Sequence, residues 1–523
     1  WPDMPHDLGS LGRQYTAKPY WKGWREAGDQ EEVYGCRDAD VTGQVYVKLR
    51  RELEREPRLL HLYKEVQVPL ARICHLMTET GIMTSPEAAR TIAAKADEAI
   101  ARDELLLPPH MRAPILPKRK RVPAPLGTLT PLKLGKKGQP LKQRPVRFLY
   151  EVVEVQGPSP WRSYEQTTAF LYNELNLKEC LDVEGKVTTG KNALDRLVVT
   201  SGLPEVAAIR RLRQQSHRRN ICNKLSEAGV QKRIHASFNV HGTSTGRLSS
   251  TGGDEKIQMQ NLTEEIRYMF VPSQPGWVLW SADFSQMESR LAAWFAGDTE
   301  RAARFDIPGY NEYKFAASVF LGVPADKVEK SKDPTSLYHR FKTIVLGTDR
   351  ALGARKIAMT ENIPEAEVEE MLRAWKAKIP KTMEWQLATG EQARRDKCLW
   401  NPFGRRGRFL GDRAFTQGVS FLPQSTGADV IYRGMIGIAY ERIEWPESWV
   451  KKVVQIYELL PQPARLLLQV HDELVGEAPA ELIPEVRRIV TRVMSQPWSE
   501  LGGLALPVNF ASGENWAAME ESA

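Results

Sequence analysis

The spacing of apolar positions changes near residue 236. Over residues 58–235, apolar side chains such as Val68, Leu70, Ile73 and Met77 recur at helical intervals, which predicts a long, largely helical arm. Ahead of it, the mixed polar sequence of residues 1–57 ends in a predicted helix, Asp38 to Glu56, that Pro57 would stop. From 236 onward short β-like runs enter, Trp277 to Ala282 and Leu466 to Val470, with helical segments between them. Leu466, Leu468 and Val470 alternate with Leu467 and Gln469. His471-Asp472-Glu473 then interrupts before Leu474-Val475 resumes, which predicts a hairpin with carboxylates at its tip. No internal repeat of the solenoid kind is present.

At 523 residues the chain is too long for one core, and two to four domains are expected. No apolar run approaches the ~18 residues that span a membrane, so the expectation is a soluble, cytoplasmic protein without a membrane partner. The start at Trp1, without an initiating Met or a leader, suggests a fragment. Cys36, Cys74, Cys180, Cys222 and Cys398 form no C-x-x-C pair, which argues against a zinc site or a disulfide framework and fits a reducing compartment. The net charge of +8 favours a polyanionic partner only weakly. Its distribution is more informative. Arg112 to Arg147 holds eleven Lys or Arg and no Asp or Glu, with seven prolines, so it reads as an extended insertion rather than a helix. Contact with a phosphate backbone and a merely solvated charge run account for it equally well.

The strand-like run Gly276 to Ala282 leads straight into Asp283, so one aspartate sits where a strand stops and another, Asp472, at a hairpin tip. Either alone reads as a turn or capping residue. Together on adjacent strands they would suit two metal ions held about 3.5–4 Å apart, with magnesium the natural oxygen-seeking choice. Between them, Tyr338 to Arg350, if helical, puts His339, Lys342, Leu346 and Arg350 on one face, which could grip a triphosphate. Standing alone, that segment would be an ordinary amphipathic helix.

Four ordered motifs carry a resemblance. Asp283-Phe284-Ser285-Gln286-Met287-Glu288-Ser289-Arg290 resembles the first catalytic motif of family A DNA polymerases, the DNA polymerase I group, and Val470-His471-Asp472-Glu473 its last. Thr245 to Ser250, followed by Gln258-Met259-Gln260-Asn261, resembles the segment that tracks primer and template. Gln424 to Asp429 resembles the glutamine motif that reads the minor groove. The resemblance implies an α/β multidomain chain with a right-hand polymerase fold, an antiparallel β palm with helical thumb and fingers. It places a remnant of a 3′–5′ exonuclease-like domain at 1–57, the thumb at 58–235 with the basic insertion at 103–147, palm at 236–299, fingers at 300–395 and palm again at 396–523.

Carried over by position, Asp283 and Asp472 become the metal ligands for two Mg2+ ions, with Mn2+ able to substitute, and Glu473 a supporting acid. Lys342, with His339, Arg340, Leu346, Arg350, Gln286 and Glu288, would bind the deoxynucleoside triphosphate, Glu288 crowding the sugar 2′ position. Arg247, Gln260, Asn261, Gln424 and His471 would contact primer–template DNA. The implied activity is addition of deoxynucleotides to a primer 3′ end with release of pyrophosphate, by a monomer serving DNA replication.

Several positions depart from the family pattern. The arginine usual four residues before the lysine is Tyr338, and the tyrosine usual eight residues after it, which helps to place the templating base, is Arg350. Asn311-Glu312-Tyr313 stands where an Asp-Ile-His triplet is expected. With the basic insertion, these departures point to a phage-type member. Tyr34-Gly35-Cys36-Arg37-Asp38 resembles the last motif of the family's proofreading exonuclease, but no Asp-x-Glu precedes it, so proofreading would need a missing segment or a separate exonuclease or replisome protein. The rival readings are a polymerase-like scaffold that binds DNA with weak synthesis and a single-subunit RNA polymerase. Intact Asp283 and Asp472 oppose the first; Glu288 and the Gln-Asn pair oppose the second.

Overall fold

The computed structural model describes residues 7–16, 31–112, 118–123, 150–155, 159–182, 185–226, 233–251, 257–331, 336–361, 363–439 and 458–521. Two compact units are present, one of residues 1–92 with 221–523 and one of residues 93–220.

The larger unit is organised around a five-stranded antiparallel sheet. Its strands are β1 (Trp277–Phe284), β2 (Arg465–Val470), β3 (Glu473–Pro479), β4 (Val508–Gly513) and β5 (Glu520–Glu521), in the order β2-β3-β1-β4-β5. The β2–β3 hairpin predicted from the sequence is present, with His471 and Asp472 in its turn and His471 at a positive φ of 55°. Strands β4 and β5 carry no comparable alternating run and were not foreseen. At Gly476 of β3 an added Cβ would lie 2.2 Å from the Trp280 ring, its partner in register, so close strand approach requires glycine there.

Apolar helices cover the sheet. The helix Ile483–Met494 turns Val486, Ile489, Val490, Val493 and Met494 inward at steps of three and four residues. The helix Val68–Thr80 buries Leu70, Ile73, Cys74 and Met77 in the same core, together with Trp280 of β1. Residues at the start of the expected 58–235 arm thus pack with the sheet. Pro57, expected to end a helix, occupies the first turn of the next one, Pro57–Leu62, where its missing N–H costs nothing. The preceding helix runs Glu31–Glu54 and includes the Tyr34 to Asp38 segment.

A mostly helical region follows β1: α1 (Met287–Phe295), α2 (Glu312–Leu321), α3 (Leu337–Asp349) and the helices Glu365–Lys376 and Pro380–Asp396. Ser336 caps α3, its hydroxyl accepting from the His339 N–H at 3.2 Å. Tyr338, Phe341, Ile344 and Val345 pack inward with Val368, Met371 and Trp375. The helix ends at Arg350, and Ala351 follows at a φ of 53°, an unusual conformation for a residue with a Cβ.

The unit of residues 93–220 has its own core, including Ile100, Leu107, Met111, Trp161, Phe170, Leu194, Ile209 and Leu212. Residues 103–112, expected inside the insertion, belong to this packed part: Leu107 and Met111 are buried, and Asp103 accepts two hydrogen bonds from the Arg211 Nε. Of the basic stretch only Arg112 and residues 118–123 are described. The segment Lys118–Pro123 is a strand paired antiparallel with Tyr150–Val155. The rest of the insertion lies outside the described residues.

One buried polar cluster ties the helical region together. Arg301, fully buried, donates from Nε and Nη2 to Glu312 at 2.8 and 3.0 Å and from Nη2 to Asp349 at 3.0 Å, while Nη1 reaches Thr382 at 3.2 Å. The Ser289 hydroxyl donates to the same Asp349 at 2.8 Å, joining α1 to the end of α3. Burial pushes Asp349 up to about 6 despite Arg301. Arg301→Met leaves two buried carboxylates without their shared cation and should lower the unfolding free energy by about 3–5 kcal/mol at pH 8 in a urea melt. Because the folded state takes up the Asp349 proton at a higher pH than the unfolded chain, stability is gained as pH falls through about 6. The deficit of the variant should therefore be smaller at pH 5 than at pH 8.

Candidate active site

The pairing of β3 with β1 sets Glu473 directly opposite Asp283, and β4 sets Asn509 opposite the same aspartate from the other side. Asp472 lies one residue before Glu473 in the hairpin turn, and its carbonyl accepts from the Phe284 N–H at 3.3 Å. The two strand ends are thus stitched together where the acids emerge. After Phe284 the chain turns sharply, with Gln286 at a φ of 52°, and enters α1, whose first turn carries Glu288.

The charges here are far from balanced at Asp283. Enclosure by protein, with repulsion from Asp472 and Glu473, pushes its pKa up to about 7, although the residue is open to solvent on one side; Lys342 and Lys330 oppose the shift. Asp472 is also raised, by burial first, with Arg247 opposing and Glu288 adding. Burial likewise raises Glu473, against Arg267. Glu473 is otherwise engaged: Arg267 Nη1 donates to it at 3.4 Å and the Trp516 Nε1 at 3.4 Å, while the Arg267 guanidinium lies 4.3 Å from the Trp516 ring centre. Its carboxylate therefore anchors β3.

Glu288 behaves oppositely. It is 6 % exposed, and burial alone would raise its pKa, but Arg247 and Arg350 outweigh burial and hold it below the usual carboxylate value. Arg247 donates to Oε1, and Arg350 donates to Oε2 from Nε at 2.9 Å and Nη2 at 2.7 Å. The Arg247 guanidinium also lies 3.6 Å from Asp472 Oδ1, an oxygen that is buried and has no hydrogen bond.

The loop carrying Arg247 is held by residues that the sequence motifs did not single out. Gly246, at a φ of 78°, passes so close to Arg405 that a Cβ would lie 2.6 Å from its guanidinium. Its carbonyl accepts from the buried Tyr432 hydroxyl at 2.8 Å. Arg405 is locked in turn on Asp429, at 3.0 and 2.6 Å. Asp429 lies within the Gln424 motif, on α4 (Ala414–Ala439), but no spacing rule points to Arg405 or Tyr432.

The expected residues do not all converge. On α3, Lys342 is exposed and His339 and Leu346 are half-buried on the face leading to Arg350. Arg340 points elsewhere and pairs with Glu367 at 3.1 Å. Tyr338 is buried against Tyr313 rather than offered to a ligand. Gln286 braces the start of α2, accepting from the Glu312 N–H at 2.8 Å, and Gln260 reaches the Gln469 carbonyl at 3.3 Å. Asn261 bonds its neighbour Gln258 at 2.8 Å. Gln424 is half-buried in α4, and His471 is exposed in the hairpin turn, its pKa lowered by crowding and by Arg247 and Arg267, against Asp472.

Among the described residues no group of three or more His, Cys, Asp or Glu could by itself hold a metal ion. The observed donors nevertheless fit hard cations that share their ligands with phosphate and water. They are oxygen-only, they leave Asp472 Oδ1 without a hydrogen bond, and they keep Asp283 short of compensating charge.

The family model of DNA polymerase family A matches residues 133–518. The chain is 28 % identical over 539 residues to the thermostable DNA polymerase I of Thermus aquaticus, across 99 % of this chain and 56 % of that one. It is 27 % identical to the DNA polymerase I of Chloroflexus aurantiacus, across 94 % and 47 %. The POL domain of Pol1 from M. smegmatis, solved in complex with DNA primer-template and dNTP, superposes with a TM-score of 0.69 at 21 % identity, over 99 % of this chain and 80 % of that one. The chain belongs to DNA polymerase family A, and it has the α/β architecture of that polymerase domain. It spans about half the length of the curated relatives it matches. Both of these relatives are bacterial, which gives the phage-type expectation no support. No helix among the described residues is long and apolar enough to cross a membrane.

If Asp283 and Asp472 hold divalent ions, Mg2+ or Mn2+ should raise the thermal midpoint of the wild-type chain, by an amount equivalent to about 2.7 kcal/mol per site at a hundredfold excess over Kd. The Asp283→Asn/Asp472→Asn double variant should show no such rise in the same calorimetric scan.

Proposed function

We propose that this chain carries out template-directed DNA synthesis, adding deoxynucleotides to a primer 3′ end and releasing pyrophosphate. The observation that carries the reading is the register of β1 with β3, which brings Asp283 and the Asp472 turn side by side at the mouth of the sheet. Membership of DNA polymerase family A supports it, as does likeness to a domain solved with DNA primer-template and dNTP.

Asp283 and Asp472 are the residues that would hold two Mg2+ ions. When bound, these supply neutralisation of charge at the transferring phosphate and ease deprotonation of the attacking 3′-hydroxyl. The protein residues do the remaining work. Lys342 offers a compact ammonium to the triphosphate, with His339 one turn earlier on the same face of α3. Orientation of the 3′-oxygen and α-phosphate in line lowers the barrier by fixing reactants that would otherwise meet by diffusion. Arg247, Gln424 and His471 are assigned to the primer end and the minor groove, where degenerate acceptors allow pair shape to be tested with little sequence preference. The α3 face borders the incoming pair, and Glu288 borders its sugar.

Primer extension on a recessed template with Mg2+ and four dNTPs should proceed with the wild-type chain, and Asp472→Ala should slow it by about a thousandfold or more. Lys342→Ala should raise the dNTP KM about tenfold or more. Tight, salt-sensitive binding to the same DNA without extension would instead favour the scaffold reading.

A further inference from the structure

The carboxylate of Glu288 is heavily occupied. Three hydrogen bonds reach it, one from Arg247 and two from Arg350, which fills three of roughly four lone-pair positions on a carboxylate. Arg350 does not reach it by chance of rotamer alone. Its backbone is fixed at the end of α3, its carbonyl accepts from the Ser420 hydroxyl at 3.1 Å, and the preceding Asp349 is tied to Ser289 on α1. The end of α3 is therefore pinned to the first turn of α1 at two consecutive residues.

On the polymerase reading above, the spacing along α3 assigns one part of a nucleotide to this pair. Lys342 and Arg350 are eight residues apart on one face, roughly 12 Å along the helix. With the β- and γ-phosphates at the Lys342 end and the α-phosphate beside Asp283, the sugar, one ester bond further on, lies toward Leu346, Glu288 and Arg350. A hydroxyl placed there faces a buried acid with almost no acceptor capacity left. A buried hydroxyl without a partner is strongly disfavoured.

We infer that Arg350 is a specificity-determining positioning residue: by occupying Oε2 of Glu288 it denies an acceptor to the 2′-hydroxyl of a ribonucleotide, so that discrimination rests on a filled carboxylate as well as on bulk. The inference rests on the polymerase reading above. It assigns to Arg350 a role in sugar selection, where its position in the family pattern would suggest a role at the templating base.

The test is the ratio of kcat/KM for ATP to that for dATP, opposite thymine, in the wild-type chain and in Arg350→Gln and Arg350→Lys. Arg350→Gln removes the charge and, with its shorter side chain, the two-pronged contact to Oε2, and should raise the ratio about tenfold or more. Arg350→Lys, which keeps the charge but cannot form the two-pronged contact, should give a smaller rise. A loss of kcat with dATP and ATP alike, at an unchanged ratio, would overturn the inference and leave Arg350 a structural support. If Arg350→Gln fails to fold, an unchanged ratio in Arg350→Lys overturns it equally. A wild-type chain that extends with neither nucleotide would overturn the polymerase reading itself, and this inference with it.

Discussion

Everything at the candidate site depends on the register between β1 and β3. Seven successive residue pairs, from Glu473 opposite Asp283 to Pro479 opposite Trp277, fix where the strand ends fall. A slip of one residue would send every side chain of β3 to the other face of the sheet. It would take Gly476 away from the Trp280 ring, which only a glycine can face so closely, and would set a bulky neighbour in its place. The steric fit of one glycine and one tryptophan within the sheet thus helps to hold the carboxylates at its edge.

Around that register the protein manages charge in two ways. At Asp283 and Asp472 it gathers acids under partial enclosure and leaves them short of hydrogen bonds, an arrangement that cations would stabilise. A few residues away, Glu288 and Asp349 are enclosed more completely but are matched with arginines from other elements. The matched pairs join α1, α3 and the loop of Arg247 into one frame, so Lys342 and the acid pair are positioned by the same contacts. Each pair is costly to leave half-made, because an unpartnered buried charge is far less favourable than a satisfied one.

The chemistry-bearing part of this arrangement was largely legible in the sequence. Alternation before His471 and bulk before Asp283 announced two strands ending in acids, and periods of three and four residues placed Lys342 and Arg350 on one side of a helix. What escaped was whatever depends on partners remote in sequence. Arg301, Arg405, Arg267 and Trp516 sit in unremarkable stretches, and their roles come only from meeting Glu312, Asp429 and, for the last two, Glu473 across 11, 24, 206 and 43 residues of chain. Strand β4 lacks an alternating pattern because Phe510 is the one buried residue of its six, with Asn509 exposed and the other four half-buried. The same cause hid the partners of Gln286 and Arg340. Both have plausible spacing for a nucleotide, but Gln286 binds the backbone of α2 and Arg340 binds Glu367. The helical period of residues 68–77 reports a buried face without saying which core it enters, and these residues share the core of the sheet.

On the proposed function, Asp283 and Asp472, brought together by strand register, serve as one divalent-metal site for nucleotidyl transfer. Anomalous diffraction from crystals of the chain with primer–template DNA, a non-hydrolysable dNTP analogue and Mn2+ tests it most directly. Two manganese peaks at the carboxylates of Asp283 and Asp472, about 3.5–4 Å apart, are the expected result. Manganese bound elsewhere, with both aspartates free of metal while DNA and nucleotide are in place, would contradict it.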